Sequence, residues 1–273
     1  MKRFAPLLLF LPGCCGKDSE PTVRIKGESF KTTMIRTRAH FREFLRWDPP
    51  AAGRAFVVAY PHAHYHHYES RNNYDVVFTD GGGKVLEVLT LAGAEEGGIT
   101  SSVEATHAVF LRAGTAARLG LRTGESVELA APLRENLPPL LAALRVNGHG
   151  VNAWTAVGRE DQAHGFMFRR RLSRDDGMIF AYPSPEINEF WMKNCAIDLD
   201  IAFFRSDGTL INVVETRRYP DPKNPPETRS RSHEPAQYVL ETNFGWFRAR
   251  GMILEDGRPN GTVRIELPPD VRS

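Results

Sequence analysis

An internal repeat limits the fold of this 273-residue chain more than any other feature. The better-defined copy contains the run from Gly165 to Phe203, and a weaker copy lies in the first half. The motifs correspond in the same order: Tyr60-Pro61 with Tyr182-Pro183, Arg71-Asn72 with Lys193-Asn194, Asp75 with Asp200, and the pair Gly114 and Gly120 with the pair Gly245 and Gly251. A repeat of this length predicts tandem domains rather than a solenoid of short units.

Short segments rich in β-branched and aromatic residues predict strands throughout the chain. Examples are Met178–Tyr182, Thr209–Val214 and Val263–Leu267, each bounded by turn residues. Asp80-Gly81 and Asp207-Gly208 lie between apolar runs and predict hairpins, because Asp-Gly tolerates the positive φ angles of a tight turn. We therefore predict a mostly β fold, with two tandem small β-sandwich or barrel-like domains and short helices.

The predicted domain organisation has four parts. They are a lipoprotein-type signal and tether (1–21), a divergent first copy of the β domain (22–130), a helical connector (131–150) and a well-preserved second copy (151–273). The connector is predicted to be helical because the apolar run Leu137–Val146 has prolines near its start and Asn-Gly-His-Gly after its end.

The charge balance argues against one class of function. The chain has 35 basic and 33 acidic residues and a formal net charge of +2. A protein that binds nucleic acid by neutralising phosphates needs a clear basic excess. We therefore expect no nucleic-acid partner.

The N-terminus resembles a bacterial lipoprotein signal. Lys2 and Arg3 precede the short apolar run Phe4–Leu11, and Leu11-Pro12-Gly13-Cys14 follows the pattern of a lipidation box, apart from Pro12. This resemblance implies lipidation of Cys14 and a lipid-anchored protein on the exported side of a membrane of the bacterial cell envelope. The alternative is an untargeted, frayed end of a cytosolic protein.

The second half resembles a known family. The motifs are Gly165-Phe-Met-Phe-Arg169, Asp176-Gly-Met-Ile-Phe180, Phe190-Trp-Met-Lys-Asn194 and Leu199-Asp200. They are similar to those of domain of unknown function 192, a bacterial and archaeal family with a compact β-rich fold. This chain has Cys195 where the family commonly has Thr. The resemblance implies no catalytic residues.

Polar residues around Lys193 form the first candidate site. A strand from Phe190 to Cys195, covered on both faces, would need partners for Lys193 and Asn194, and Asp200 or Asp198 could pair with the ammonium group. One interpretation is a structural ion pair. The other is a concave ligand site in which Lys193 holds an anionic or carbonyl group and Asp200 acts as a base.

The first copy retains polar residues at the corresponding positions. Arg71, Asn72 and Asp75 align with Lys193, Asn194 and Asp200. The neighbouring apolar residues of the second copy are replaced in the first. This pattern makes the three first-copy residues ligand-binding candidates as well.

Histidines form the second candidate site. In an extended Pro61–Tyr68 segment, His62, His64 and His66 project from one face. Two imidazoles of such a row can bind one zinc or copper ion, with a third ligand from the next strand. A solvated aromatic-histidine hairpin is the alternative. Asp175-Asp176, next to Gly177, is interpreted as a turn.

The leading functional expectation is a membrane-tethered envelope protein that binds or scaffolds a small ligand or another envelope protein. An envelope enzyme acting on glycans or small metabolites through Lys193 and Asp200 is one alternative. A metal-handling protein that uses the histidine row is the other.

Overall fold

The computed structural model describes residues 20–93, 97–135, 137, 140–156, 158–218 and 229–271. The predicted lipidation residue, Cys14, and nearly all of the predicted signal and tether lie outside the described residues. Within the described residues, no helix is long and apolar enough to cross a membrane.

The first half of the chain forms one seven-stranded sheet in the order β5-β4-β6-β3-β2-β1-β7. Its strands are β1 (Thr22–Ile25), β2 (Glu28–Ile35), β3 (Arg54–Tyr68), β4 (Tyr74–Thr79), β5 (Val85–Leu91), β6 (Ile99–Arg112) and β7 (Glu128–Leu129).

The second half forms another seven-stranded sheet in the order β13-β12-β15-β10-β9-β8-β16. Its strands are β8 (Ala142–Val146), β9 (His149–Ala156), β10 (Asp176–Glu186), β12 (Leu199–Phe204), β13 (Leu210–Thr216), β15 (Ala236–Asn243) and β16 (Ile265–Glu266). Between these strands, β11 (Glu189–Phe190) and β14 (Ser230–Arg231) form a separate ribbon.

The two sheets have the same topology. In each, an antiparallel hairpin leads to a parallel pair, β2 with β3 or β9 with β10, and the remaining pairs are antiparallel. Both sheets are curled into half-barrels, which confirms the prediction of a mostly β, barrel-like fold. The helices are short: α1 (Arg38–Glu43), α2 (Thr115–Arg118) and α3 (Gly158–His164).

The prediction that the connector is helical is wrong. Apart from the 3-10 turn Ala131–Leu133, its regular part is strand β8 and the start of β9, which belong to the second sheet. Ala142, Leu144 and Val146 are buried while Ala143 and Arg145 are exposed. This two-residue alternation is typical of a strand with one covered face. The segment follows this alternation and forms a strand, although the flanking prolines and glycines are typical of the ends of a helix.

The predicted strand from Phe190 to Cys195 is also wrong beyond its first residue. Strand β11 ends at Phe190. The backbone then turns, since the Cys195 N–H donates to the Met192 carbonyl at 3.1 Å and Asn194 has a φ of 57°. A left-handed residue reverses the chain and interrupts the strand alternation.

The two sheets meet along a junction with apolar and polar parts. The partly buried Trp154 on β9 packs against apolar clusters of both halves. Around it, Arg169 donates to the Tyr65 carbonyl at 3.1 Å, and the Tyr65 N–H donates to Ser173 Oγ at 3.0 Å. The candidate metal centre lies at this junction.

Candidate metal centre

Strand β3 carries the histidine row that the sequence predicts. Its 15 residues pair with β6 as far as Tyr68, and the register of this pairing shifts between Ala59 and His64. The rings of His62 and His64 have centroids 5.4 Å apart, and those of His64 and His66 are 4.4 Å apart. The three imidazoles therefore form one row, as alternation along a strand requires.

The second half contributes a carboxylate to this row. Asp176 begins β10 and is 2% exposed, and its Oδ1 lies 3.7 Å from His62 Nε2. One donor atom each from His62, His64 and Asp176 lies within 4.8 Å of the others. Two imidazoles and one carboxylate thus converge at a point where the halves meet.

Several potential ligand atoms of this cluster lack hydrogen bonds. Within the part of the chain that the structure describes, Nδ1 and Nε2 of His64, Nε2 of His62 and Oδ2 of Asp176 are buried without a hydrogen-bond partner. Each unpaired buried polar group costs roughly 1–3 kcal/mol. Because a neutral imidazole has one nitrogen with a free lone pair, His62, His64 and Asp176 can each offer one ligand atom, and their convergence indicates a site arranged for a group that accepts lone pairs.

Burial sets the protonation of this cluster. It lowers the pKa of His64 well below its ordinary value, helped by the neighbouring histidines and by Arg169. A neutral imidazole is the form that binds a metal. Burial also raises the pKa of Asp176, against the opposing effects of His62 and Arg169.

Arg169 adds a positive charge close to this cluster. It is 5% exposed, and its guanidinium lies 4.2 Å from the centre of the Trp154 ring. Its charge acts against a bound cation. The carboxylate of Asp176 is therefore the ligand on which cation binding depends most.

His66, the third predicted ligand, is engaged elsewhere. Its Nδ1 lies 2.6 Å from the Tyr68 hydroxyl and its Nε2 lies 2.9 Å from the Ala105 carbonyl oxygen. Burial lowers its pKa to about 3. With both ring nitrogens used, His66 supports the row without offering a ligand atom, and Asp176 takes its place in the cluster.

The structure does not bring Lys193 and Asp200 together, so the predicted ion pair is wrong. Lys193 is exposed, and its ammonium lies 5.3 Å from the ring centre of Trp191, which is 46% exposed. Asn194 is half-buried, and its carbonyl accepts a hydrogen bond from the Phe168 N–H at 2.8 Å. The turn after Phe190 directs Lys193 to solvent.

Asp200 and Asp75 hold equivalent turns. Asp200 is fully buried and accepts hydrogen bonds from the backbone N–H groups of Gly245 at 2.8 Å and Phe247 at 3.1 Å. Asp75 accepts one from the Ala116 N–H at 2.7 Å. Burial raises the pKa of Asp200 to about 6, opposed by its backbone hydrogen bonds. A shared structural role explains why a carboxylate occurs at the corresponding position of each half.

The remaining predicted residues are dispersed. Asn72 donates from its side chain to the Trp47 carbonyl at 2.9 Å. Asp198 accepts from the Arg218 N–H at 2.7 Å and the Arg217 guanidinium at 2.9 Å, and both interactions lower its pKa. Arg71 is exposed and lines a cavity between the halves.

Glu241 is a buried acid that the sequence analysis missed. It lies on β15 opposite Met178, and its Oε2 has no hydrogen-bond partner within the described ranges. Burial raises its pKa to about 8. The Tyr238-Val-Leu-Glu strand pattern could have indicated it, because Glu241 shares the face of the apolar Val239.

Comparisons with known proteins concern the second half. Residues 142–257 match the model of domain of unknown function 192, described as "Uncharacterized ACR". The predicted resemblance is confirmed for this segment. No curated protein matches the chain.

Two solved structures are similar to part of the chain. One, from Sinorhizobium meliloti 1021, is described as a "putative transcription regulator"; it is 30% identical, covers 46% of this chain and 92% of its own, and has a TM-score of 0.39. The other is a protein of unknown function from Novosphingobium aromaticivorans DSM 12444; it is 30% identical, covers 45% and 83%, and also has a TM-score of 0.39.

Proposed function

Starting from a second half that matches a family without an assigned function, we propose that this protein binds one divalent transition-metal ion. His62 and His64 from the first half and Asp176 from the second half are the ligands. The observation that carries the proposal is the convergence of their unpaired donor atoms within 4.8 Å at a buried junction.

The donor set favours zinc or copper. Imidazole nitrogens suit both ions, and a carboxylate oxygen completes three protein ligands. Three ligands leave one tetrahedral position for water or another small ligand, as in sites where the ion acts on or carries a ligand. A neutral His64 binds without first losing a proton, because burial has already lowered its pKa.

Metal titration of the metal-free protein tests this proposal. We expect the full-length chain to bind one equivalent of Zn²⁺ or Cu²⁺ by calorimetry. His64→Asn and Asp176→Asn each remove a ligand. The affinity of each variant for the ion should fall by more than roughly 10- to 100-fold, which is the cost of losing a residue that only hydrogen-bonds to a metal ligand.

His233→Asn is the matched control, because His233 is exposed and is not part of the cluster. It should bind as the parent does. Unchanged affinity in both ligand variants would show that the ion binds elsewhere, and no binding by the parent would refute the proposal.

We also propose that the protein acts at the exported side of a bacterial membrane, anchored by lipid on Cys14. The basic start, the short apolar run and the Leu11–Cys14 box support this location. In this setting the bound ion belongs to an envelope binding protein built from two diverged copies of one β domain. The common strand order of the two sheets supports the duplication.

Fractionation of bacterial cells that express the full chain tests the anchor. Cys14→Ala should move the protein from the membrane to the soluble fraction, because the acyl chains provide the anchoring free energy. Cys15→Ala is the matched control and should leave the protein in the membrane. If Cys14→Ala stays in the membrane fraction, the anchor is not on this residue.

A further inference from the structure

A second site lies at the junction of the two halves, in a cavity of about 500 Å³. This volume lies within the range of small-molecule sites. The first half contributes α1 and the end of β3, and the second half contributes β9 and α3. The proposed metal ligands are not among the lining residues, although Trp154 lines the cavity and its ring centroid lies 5.6 Å from that of His64.

Two polar atoms on lining residues have no protein partner. In the described part of the chain, Nε of Arg38 and Oγ1 of Thr155 are buried without a hydrogen bond. The other Arg38 nitrogens are engaged, with Nη1 on Asp270 and Nη2 on the Leu141 carbonyl at 3.1 Å. Arg38 is therefore held in place while one N–H donor stays unused.

The acidic lining residues are already engaged. Glu160 pairs with Arg46 at 3.2 Å. Glu69 lies 3.0 Å from both His67 and His164, and these contacts lower its pKa to about 2 against the effect of burial. Asp161 also has an interaction partner. Because these carboxylates are already paired, the cavity offers little free negative charge to a cationic ligand.

Arg71 differs from these residues. It is exposed, it lines the cavity, and the described residues give it no ion pair. Together with Arg38 Nε and the Thr155 hydroxyl, it leaves the cavity with unused donors and an excess of available positive charge. An oxygen anion satisfies both.

Part of the remaining wall is apolar. Phe41, Leu45, Leu140, Trp154 and Met178 line it. Apolar walls with a few unpaired donors suit a ligand with an apolar body and one anionic group. We infer that this cavity binds a small organic carboxylate, its carboxylate held by Arg71, Arg38 and Thr155 and its body packed against Trp154 and its apolar neighbours.

Calorimetric titration of the full-length protein with two carboxylates and their neutral amides tests this inference. The pairs are phenylacetate with phenylacetamide and indole-3-acetate with indole-3-acetamide. Each carboxylate should bind at least about tenfold more tightly than its amide, because only the carboxylate carries a negative charge that pairs with the arginines.

Two variants assign the binding to the cavity. Arg71→Gln removes the exposed charge, and Thr155→Val replaces a hydroxyl that has no partner, so neither breaks a described side-chain contact. Each should weaken carboxylate binding by about tenfold. Arg122→Gln, at an exposed arginine that does not line the cavity, should leave it unchanged.

The inference fails if neither carboxylate binds, if the amides bind equally well, or if Arg71→Gln and Thr155→Val both bind like the parent. It is independent of the metal proposal, since Arg71→Gln should retain Zn²⁺ binding. If the parent protein binds the metal but no carboxylate, or a carboxylate but no metal, the missing binding identifies which proposal is wrong.

Discussion

At the residue scale, the sequence predicts part of the candidate metal centre. Alternation along an extended segment places His62 and His64 on one face, and the structure agrees. Asp176 could not be found in this way, because Asp175-Asp176-Gly177 has the composition of a turn. Its role depends on β10 starting beside β3 of the other half. Local pattern carries no information about such a contact.

Glu241 gives a prediction at this scale. Its pKa is raised to about 8 by burial, so the folded state binds a proton that the unfolded chain releases near its ordinary value of 4.5. The free energy of unfolding should then fall as the pH rises from about 5 to 8, by up to about 1.4 kcal/mol per pH unit.

Glu241→Gln should remove the contribution of Glu241 to this pH dependence, because the amide resembles the protonated acid and does not titrate. Urea denaturation of the parent and the variant at pH 5, 6, 7 and 8 measures the effect. Parallel stability curves for the two proteins would show that Glu241 is not the group responsible.

At the scale of elements, burial alternation was a better guide than start and stop signals. Alternation in Ala142–Val146 defines β8, although the prolines before it and the glycines after it are typical of a helix. Beyond Phe190, a single left-handed residue, Asn194, ends the regular structure. Because few non-glycine residues adopt that conformation, the sequence did not reveal the turn.

The prediction at this scale concerns Asp75 and Asp200, the corresponding carboxylates of the two halves. Each ties a central strand to the turn that follows the neighbouring strand. Hydrogen bonds to charged groups contribute roughly 1.5–3 kcal/mol. Asp75→Ala and Asp200→Ala should each lower the free energy of unfolding by about 2–3 kcal/mol, measured by urea denaturation.

Lys193→Ala is the comparison for these variants, because Lys193 is exposed and makes no ion pair with Asp200. It should change the free energy of unfolding by less than about 0.5 kcal/mol. An effect of Lys193→Ala equal to that of Asp200→Ala would contradict the structural roles assigned to the two residues.

At the scale of the whole molecule, the sequence predicts the β class and a similar strand pattern in each half, but not the junction. The repeated strand order follows from similar patterns in each half. The sites between the halves depend on how the sheets meet, which the patterns within each half do not specify. For this reason, no local sequence pattern indicated Arg38, Thr155 or Asp176 as site residues.

Metal binding should stabilise the molecule as a whole. An ion that binds only the folded chain stabilises it by about 2.7 kcal/mol at 100 times its dissociation constant. Thermal unfolding followed by circular dichroism should show a higher Tm for the parent with Zn²⁺. His64→Asn should show no such shift, and an equal shift in both proteins would place the ion outside this centre.

The split origin of the ligands has a topological consequence. His64 and Asp176 are far apart in the chain, so an ion held between them closes a long loop in the covalent sequence. A disulfide closing a loop of roughly 100 residues contributes about 4.7 kcal/mol in the chain-entropy model. The described part of the chain has one cysteine, Cys195, buried and free. With zinc as the bound ion, this cross-link is one that no reductant opens and that a chelator does.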